Sequence, residues 1–296
     1  MRLVLGERSY DLTYRALVMG ILNRTTDSFF DAGAFFELDK FVDLAARHVR
    51  AGADLLDVGG VKAGPGPEVT EEEELDRVVP AIEALVARFD IPVSVDTWRA
   101  AVAEAAFKAG AIVGNDISGF ADPDYLSTAA RAGAAVVATH IRLAPRVADP
   151  APAYDDVTRA VRSRLDDLAC RAVAAGIPRQ RVIVDAGLDL GKTWQQSLVL
   201  LRRSGELASL GFPLLLSASN KTFLGRLLGL EVGDRRLASA AATAVGVAEG
   251  CRIVRAHDVE GTRRVVETIA AVMSGERTQS PLTLATARRA SRTSDG

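Results

Sequence analysis

Short apolar runs without polar alternation recur along the chain, each preceded by a helix-like stretch that ends in a small residue and a glycine. Ala51-Gly52-Ala53 leads into LLDV, Ala109-Gly110-Ala111 into IVGND, and Ala132-Gly133-Ala134 into AVVAT. Looser versions are Gly176-Ile177-Pro178 before RVIVD, Gly211-Phe212-Pro213 before LLLS, and Glu249-Gly250-Cys251 before RIVR. Each glycine suits a helix C′ position, where a left-handed backbone strains a residue without Cβ least. Continuous apolar runs are what parallel strands covered on both faces require. With ALVMGIL at 16–22 and PVSVD at 92–96, the pattern predicts eight strands.

Helical periodicity fills most of the gaps. In ELDKFVDLAARHVRAG, residues Leu38, Phe41, Leu44, Ala45 and Val49 fall near one face. Thr70 followed three residues later by Glu73 reads as a capping box, and the acidic run Glu71–Glu74 suits the positive end of a helix. Eight strands alternating with helices predict an α/β protein, a single-domain (β/α)8 TIM barrel over residues 16–274. A doubly wound open sheet is the competing topology. Residues 1–15 read as an N-terminal extension, and 275–296 as a disordered polar tail with Arg288, Arg289 and Arg292 solvated.

Composition narrows the function classes. Of 296 residues, 36 are Lys or Arg against 38 Asp or Glu, and a net charge of −2 speaks against a nucleic-acid binder. No apolar run approaches the roughly 20 residues that span a bilayer, and the N-terminus has no signal-peptide core; a cytoplasmic protein is expected. Cys170 and Cys251 are too few for a disulfide scaffold or a cysteine zinc site.

The chemistry of such a barrel sits where strands end. Those ends carry Asn23 and Arg24, Asp57, Asp96, Asn115 and Asp116, Thr139 and His140, Asp185, Ser217 to Lys221, and Arg255 with His257. Singly, each has a structural role available as a cap, a turn former or a satisfied imidazole. Together they place polar groups at nearly every strand end, which points to a ligand site. Asp96, Asp185 and Asn115 can hold a heterocycle showing N–H donors along one edge, with Lys221 donating to ring acceptors. Arg255 and His257 follow the eighth strand, where barrels often bind phosphate. In DAGLDLGKT, the spacing of Gly187, Gly191, Lys192 and Thr193 is one residue short of a P-loop, so an NTPase is rejected.

These strand-end motifs resemble dihydropteroate synthase, of the pterin-binding barrel family. MGILNRTTDSFFDAG at 19–33 resembles its first loop and GADLLDVGG at 52–60 its second motif; VSVDT, GNDISG, DAGLDLGK, SNKTFLG and RAHDV follow in order. The resemblance implies condensation of 6-hydroxymethyl-7,8-dihydropterin diphosphate with p-aminobenzoate, releasing diphosphate. It implies that Asp96, Asn115, Asp185 and Lys221 hold the pterin, and that Asn23 positions Mg²⁺ and the diphosphate with help from Arg255 and His257. Arg24, Lys62, Gly64, Pro65 and Ser219 fall at the p-aminobenzoate and loop positions, and the late helices imply a homodimer.

Departures from the family pattern cluster in the loops. The usual Gly-Glu-Ser-Thr-Arg-Pro-Gly is Gly60-Val61-Lys62-Ala63-Gly64-Pro65-Gly66 here. In the first loop Arg24 replaces Val, Thr26 replaces Pro, Phe30 replaces Ser and Ala32 replaces Gly; later, Ser-Arg-Lys is Ser219-Asn220-Lys221. Asp189, at a usual glycine, adds negative charge near the pterin motif. One preorganised anion contact is worth about 2.7–4 kcal/mol, roughly 10²–10³ in rate. The expectation is therefore a homologue with an intact pterin pocket and weak or no synthase activity. The alternatives are an active synthase in which Arg24 and Lys62 replace the lost guanidinium groups, and a pterin- or folate-handling methyl-transfer barrel needing a corrinoid partner.

Overall fold

The computed structural model describes residues 1–24 and 34–275. The first-loop substitutions Thr26, Phe30 and Ala32, and the polar tail from 276 onward, lie outside the described residues. Two short antiparallel strands open the chain, β1 (Arg2–Leu5) and β2 (Arg8–Asp11). There follow β3 (Leu17–Asn23), α1 (Ala34–Arg50), β4 (Leu55–Gly59), α2 (Glu71–Arg88), β5 (Val93–Asp96), α3 (Ala100–Lys108) and β6 (Val113–Asp116). The second half runs α4 (Tyr125–Arg131), β7 (Ala135–Thr139), α5 (Val157–Ala174), β8 (Val182–Asp185), α6 (Trp194–Arg202), α7 (Ser204–Ala208) and β9 (Leu214–Leu216). It ends with α8 (Thr222–Leu228), α9 (Arg236–Ala248), β10 (Cys251–Ala256) and α10 (Val259–Ser274).

Strands β3 to β10 pair in parallel in chain order, and β10 closes on β3. That closure decides for the (β/α)8 barrel over the open sheet. The helix-end glycines behave as their spacing predicted: Gly52, Gly110, Gly133, Gly176, Gly211 and Gly250 all have positive φ. The capping box also forms, with Thr70 Oγ1 accepting the Glu73 N–H at 3.2 Å and the Glu73 carboxylate accepting the Thr70 N–H at 2.9 Å.

Side chains alternate between the barrel interior and the helical shell. Outward residues such as Leu22, Leu56, Val58, Val93 and Val95 pack under α1 to α3. Inward residues Leu17, Met19, Leu55, Val113, Val137, Ile183, Leu215 and Ile253 fill the lower barrel. The hairpin of β1 and β2, read from sequence only as an extension, seats Leu3, Leu5 and Leu12 against this inner cluster. Arg181 Nη2 fastens it by donating to the Gly6 carbonyl at 3.2 Å. An apolar floor leaves the opposite end of the barrel for polar chemistry.

Candidate functional site at the mouth of the barrel

Two residues beyond the apolar floor, or four on β3 where Ile21 intervenes, the inward positions turn polar. Following Met19 by four residues comes Asn23; Leu55 is followed by Asp57, Val113 by Asn115, Val137 by Thr139, Ile183 by Asp185, and Ile253 by Arg255. On β5 the outward Val93 and Val95 leave Asp96 on the inner face. The register keeps these groups level, pairing Asp96 with Asn115, Thr139 with Asp185, and Asn23 with Gly59. A Cβ at Gly59 would stand in ordinary contact with both neighbours, 3.5 Å from Asn23 Oδ1 and 3.6 Å from Asp96 Oδ2, so the glycine leaves about a methyl group's space between them.

Arg255 ties the layer together. Its Nε donates to Asp57 Oδ2 at 2.6 Å and its Nη2 to Asp96 Oδ2 at 2.8 Å. Asn115 Nδ2 donates to the same Asp57 oxygen at 3.2 Å. Asp57 is fully buried, and its Oδ1 has no partner among the described residues. Burial pushes the Asp96 carboxyl up to about 7, opposed by Arg255 and reinforced by Asp57 and Glu74. Burial also raises Asp185, whose Oδ1 accepts the Gly187 N–H at 2.8 Å, and lowers Lys221. Lys221 Nζ donates to the Leu188 carbonyl at 3.1 Å. Asp57, visible at a strand end but not singled out from sequence, is thus the hub; its inward parity with Leu55 was the available signal.

The loop after β8 is pinned from beneath. Gly187 has a φ of 63°, and a Cβ there would sit 2.0 Å from the His140 carbonyl oxygen. Lys192, buried under the loop, places Nζ at 2.9 Å from His140 Nδ1, 2.9 Å from the carbonyls of Gly187 and Leu190, and 3.2 Å from that of His140. Because the lysine donates, His140 Nδ1 accepts and the ring is neutral. Burial brings Lys192 down to about 7, and burial with the nearby Lys192 charge brings His140 to about 3. Sequence reading met Lys192 only as a failed P-loop; its role is to organise carbonyls. Asp189 likewise does more than add charge, since its Oδ2 accepts the Phe223 N–H at 3.1 Å.

The remaining site residues stand on the rim. Ser219 Oγ accepts the His257 N–H at 3.1 Å and lies 3.0 Å from His257 Nδ1. Burial, then Arg255, His48 and Lys221, lowers His257 to about 4, so at neutral pH it offers an N–H and no charge. Arg24 Nη1 donates to the Arg77 carbonyl on α2 at 2.8 Å, and Arg77 Nη1 to the Gly60 carbonyl at 3.0 Å. Lys62 lines a cavity of about 250 Å³ with Glu68, Glu73 and Arg77. In the second loop Val61 is buried, whereas a Cβ at Gly64 would meet nothing within 4 Å. Arg146, from the segment after β7, holds this loop down through its N–H to the Ala63 carbonyl at 3.1 Å and its Nη2 to the carbonyls of Gly66, at 2.7 Å, and Pro67. Sequence reading did not reach Arg146. Gly64 and Pro65 face Asp189 and Lys192 across a cavity of about 140 Å³.

A model of the family described as pterin binding enzyme matches residues 19–257. The chain belongs to the pterin-binding enzyme family. It is 45% identical over 264 residues to inactive dihydropteroate synthase 2 of Mycobacterium tuberculosis, covering 87% of this chain and 83% of that one. It is 38% identical over 262 residues to dihydropteroate synthase of Bacillus subtilis, covering 88% and 90%. The fold matches a crystal structure of Yersinia pestis dihydropteroate synthase with a sulfonamide drug, with a TM-score of 0.87, 38% identity, and coverage of 93% of this chain and all of that one. As a dihydropteroate synthase homologue, this pterin-binding barrel has a mouth whose inner layer is tied together by Arg255 and whose second loop has Val61 and Gly64 at the family's glutamate and arginine positions and carries Lys62.

Proposed function

We propose that this barrel binds a pterin ring in its mouth and has lost most or all of the condensation with p-aminobenzoate. The observation that carries the reading is the contrast between the two parts of the site. In the inner layer, Asp96, Asn115 and Asp185 keep the acceptors, and Lys221 the donor, that a pterin edge calls for. In the second loop, Val61 is buried, Gly64 has no side chain, and Arg146 spends its donors on loop carbonyls. Relatives at 45% identity carry the name inactive dihydropteroate synthase 2, which supports the same reading. Arg24, the candidate replacement for a lost guanidinium, donates to the α2 main chain. Arg255 is paired with two carboxylates and His257 is neutral, so leaving-group charge meets less compensation than two cations at those positions would supply.

Magnesium fits as a companion of the ligand. Mg²⁺ takes one or two protein oxygens and completes its shell with water and substrate phosphate. Asn23 offers one such oxygen, with open space beside it because residue 59 is glycine. Asn23 would hold the ion, and a bound ion would offset charge on a diphosphate leaving group. The residues of this chain orient the ring and keep Asp57 and Arg255 dry beneath it.

We further infer a homodimer in the cytoplasm. Leu228, Val232, Leu237 and Val245 expose apolar side chains on α8, α9 and the turn between them, and among the described residues no helix is long and apolar enough to cross a membrane. The deciding experiment is titration with 6-hydroxymethyl-7,8-dihydropterin diphosphate and Mg²⁺, followed by pyrophosphate release with p-aminobenzoate. Binding without pyrophosphate is expected. Turnover at a rate typical of enzymes, on the order of 1 s⁻¹ or faster, overturns the loss of activity, and absence of binding overturns the pterin site.

A further inference from the structure

Asp189 stands where the family pattern has glycine, and its backbone keeps the glycine-like conformation, with a φ of 69°. Left-handed backbone strains any residue with a Cβ, although aspartate tolerates it better than most. The main chain therefore gives no reason for a side chain here, and the reason must lie in what the carboxylate touches. Its Oδ2 accepts the Phe223 N–H at 3.1 Å, its Oδ1 accepts the Ser197 hydroxyl at 3.4 Å, and its own N–H donates to Ser197 Oγ at 3.2 Å. These bonds anchor the charge between α6 and the start of α8, directly after Lys221, whose Nζ is turned to the neighbouring Leu188 carbonyl. Asp189 is the foremost electrostatic partner of Lys221, ahead of Asp185.

The same residue lines the cavity under the second loop with Gly64, Pro65, Ile141 and Leu143. Two cations reach that cavity, and both are committed: Lys192 to His140 and loop carbonyls, Arg146 to the carbonyls of Gly66 and Pro67. Of the two carboxylates in the lining, Asp149 is paired with the Arg142 guanidinium at 2.8 Å, which leaves apolar wall and the Asp189 carboxylate. We propose that Asp189 is a specificity-determining residue that admits an uncharged pterin and excludes a ligand whose second ring carries a carboxylate. Specificity of this kind comes from a built-in repulsion rather than from a new attraction. The inference rests on the pterin-binding reading above and extends it to the class of ligand accepted.

The test compares two ligands that share the ring, 6-hydroxymethyl-7,8-dihydropterin and 7,8-dihydropteroate, by calorimetric titration of wild type, Asp189→Asn and Asp189→Gly. Asn keeps an oxygen acceptor for the Phe223 N–H while removing the charge; Gly restores the family residue should Asn fail to fold. Removing the charge is expected to raise the affinity for 7,8-dihydropteroate relative to that for 6-hydroxymethyl-7,8-dihydropterin on the order of tenfold, because any change at Lys221 acts on the ring that both ligands share. An unchanged ratio of the two affinities in the folded variants overturns the role of Asp189 while the pterin site stands. Failure of wild type and variants to bind either ligand overturns both.

Discussion

Arg255 and Asp57 form the buried ion pair on which the mouth of the barrel is built, with Nε and Oδ2 2.6 Å apart and the carboxylate fully shielded from water. A buried pair contributes little over an apolar substitute, but removing one partner strands the other. Arg255→Ala leaves Asp57 with Asn115 alone and should cost about 3–5 kcal/mol in urea denaturation. Arg255→Lys should recover only part of it, because one ammonium cannot span both carboxylates as the guanidinium fork does. A loss for the alanine variant no larger than that of an exposed pair, about 1 kcal/mol, contradicts the hub role.

Asp96, with its carboxyl raised to about 7, sets a pH dependence for ligands. A heterocycle that presents N–H donors needs the ionised form, which dominates above pH 7. Affinity for 6-hydroxymethylpterin should therefore fall toward about tenfold per pH unit below 7. Asp96→Asn should bind more weakly and lose that dependence between pH 6 and 8, where Asp96 would have titrated. Titration calorimetry across that range checks it.

Lys192 makes the opposite prediction for stability. Its amine falls from 10.5 in the open chain to about 7 in the fold. Between those values the unfolded chain binds more protons, so this residue's contribution to stability rises with pH from about 7 to 10.5. Below pH 7 both states are charged and the burial cost is fully present. Wild type should gain stability relative to Lys192→Met between pH 7 and pH 9.5, read as a widening gap in denaturation midpoints. Parallel pH profiles would show that the amine does not titrate in this range.

Arg146 reaches across 80 residues of chain to the second loop, where it meets the Gly66 carbonyl. Arg146→Ala should speed amide hydrogen exchange in residues 61–68 while leaving α2 protected, since the Thr70–Glu73 capping box is separate. Equal exchange in both proteins would mean that the buried Val61 alone holds the loop.

Much of this molecule is legible in one dimension. The eight strands, the glycines that end helices, and the Thr70–Glu73 box are local features, set by side-chain period, backbone freedom and a spacing of three residues. The family motifs, read at strand ends, reach the polar layer for a related reason: in a parallel barrel every strand end lies at one mouth. The hairpin at residues 2–11 escaped that reading because two four-residue strands carry little periodic signal.

Pairing within the mouth needed three dimensions. Asp57 and Arg255 are 198 residues apart, Lys192 and His140 are 52 apart, and Asp189 meets Phe223 across 34. Sequence alone determined which residues are polar, at which strand ends they stand, and which loops had lost their guanidinium groups. Only the tertiary structure decided which of those charges are already neutralised by one another. The physical reason is that a charge's availability depends on burial and on neighbours within a few ångströms, and closing the barrel is what supplies both.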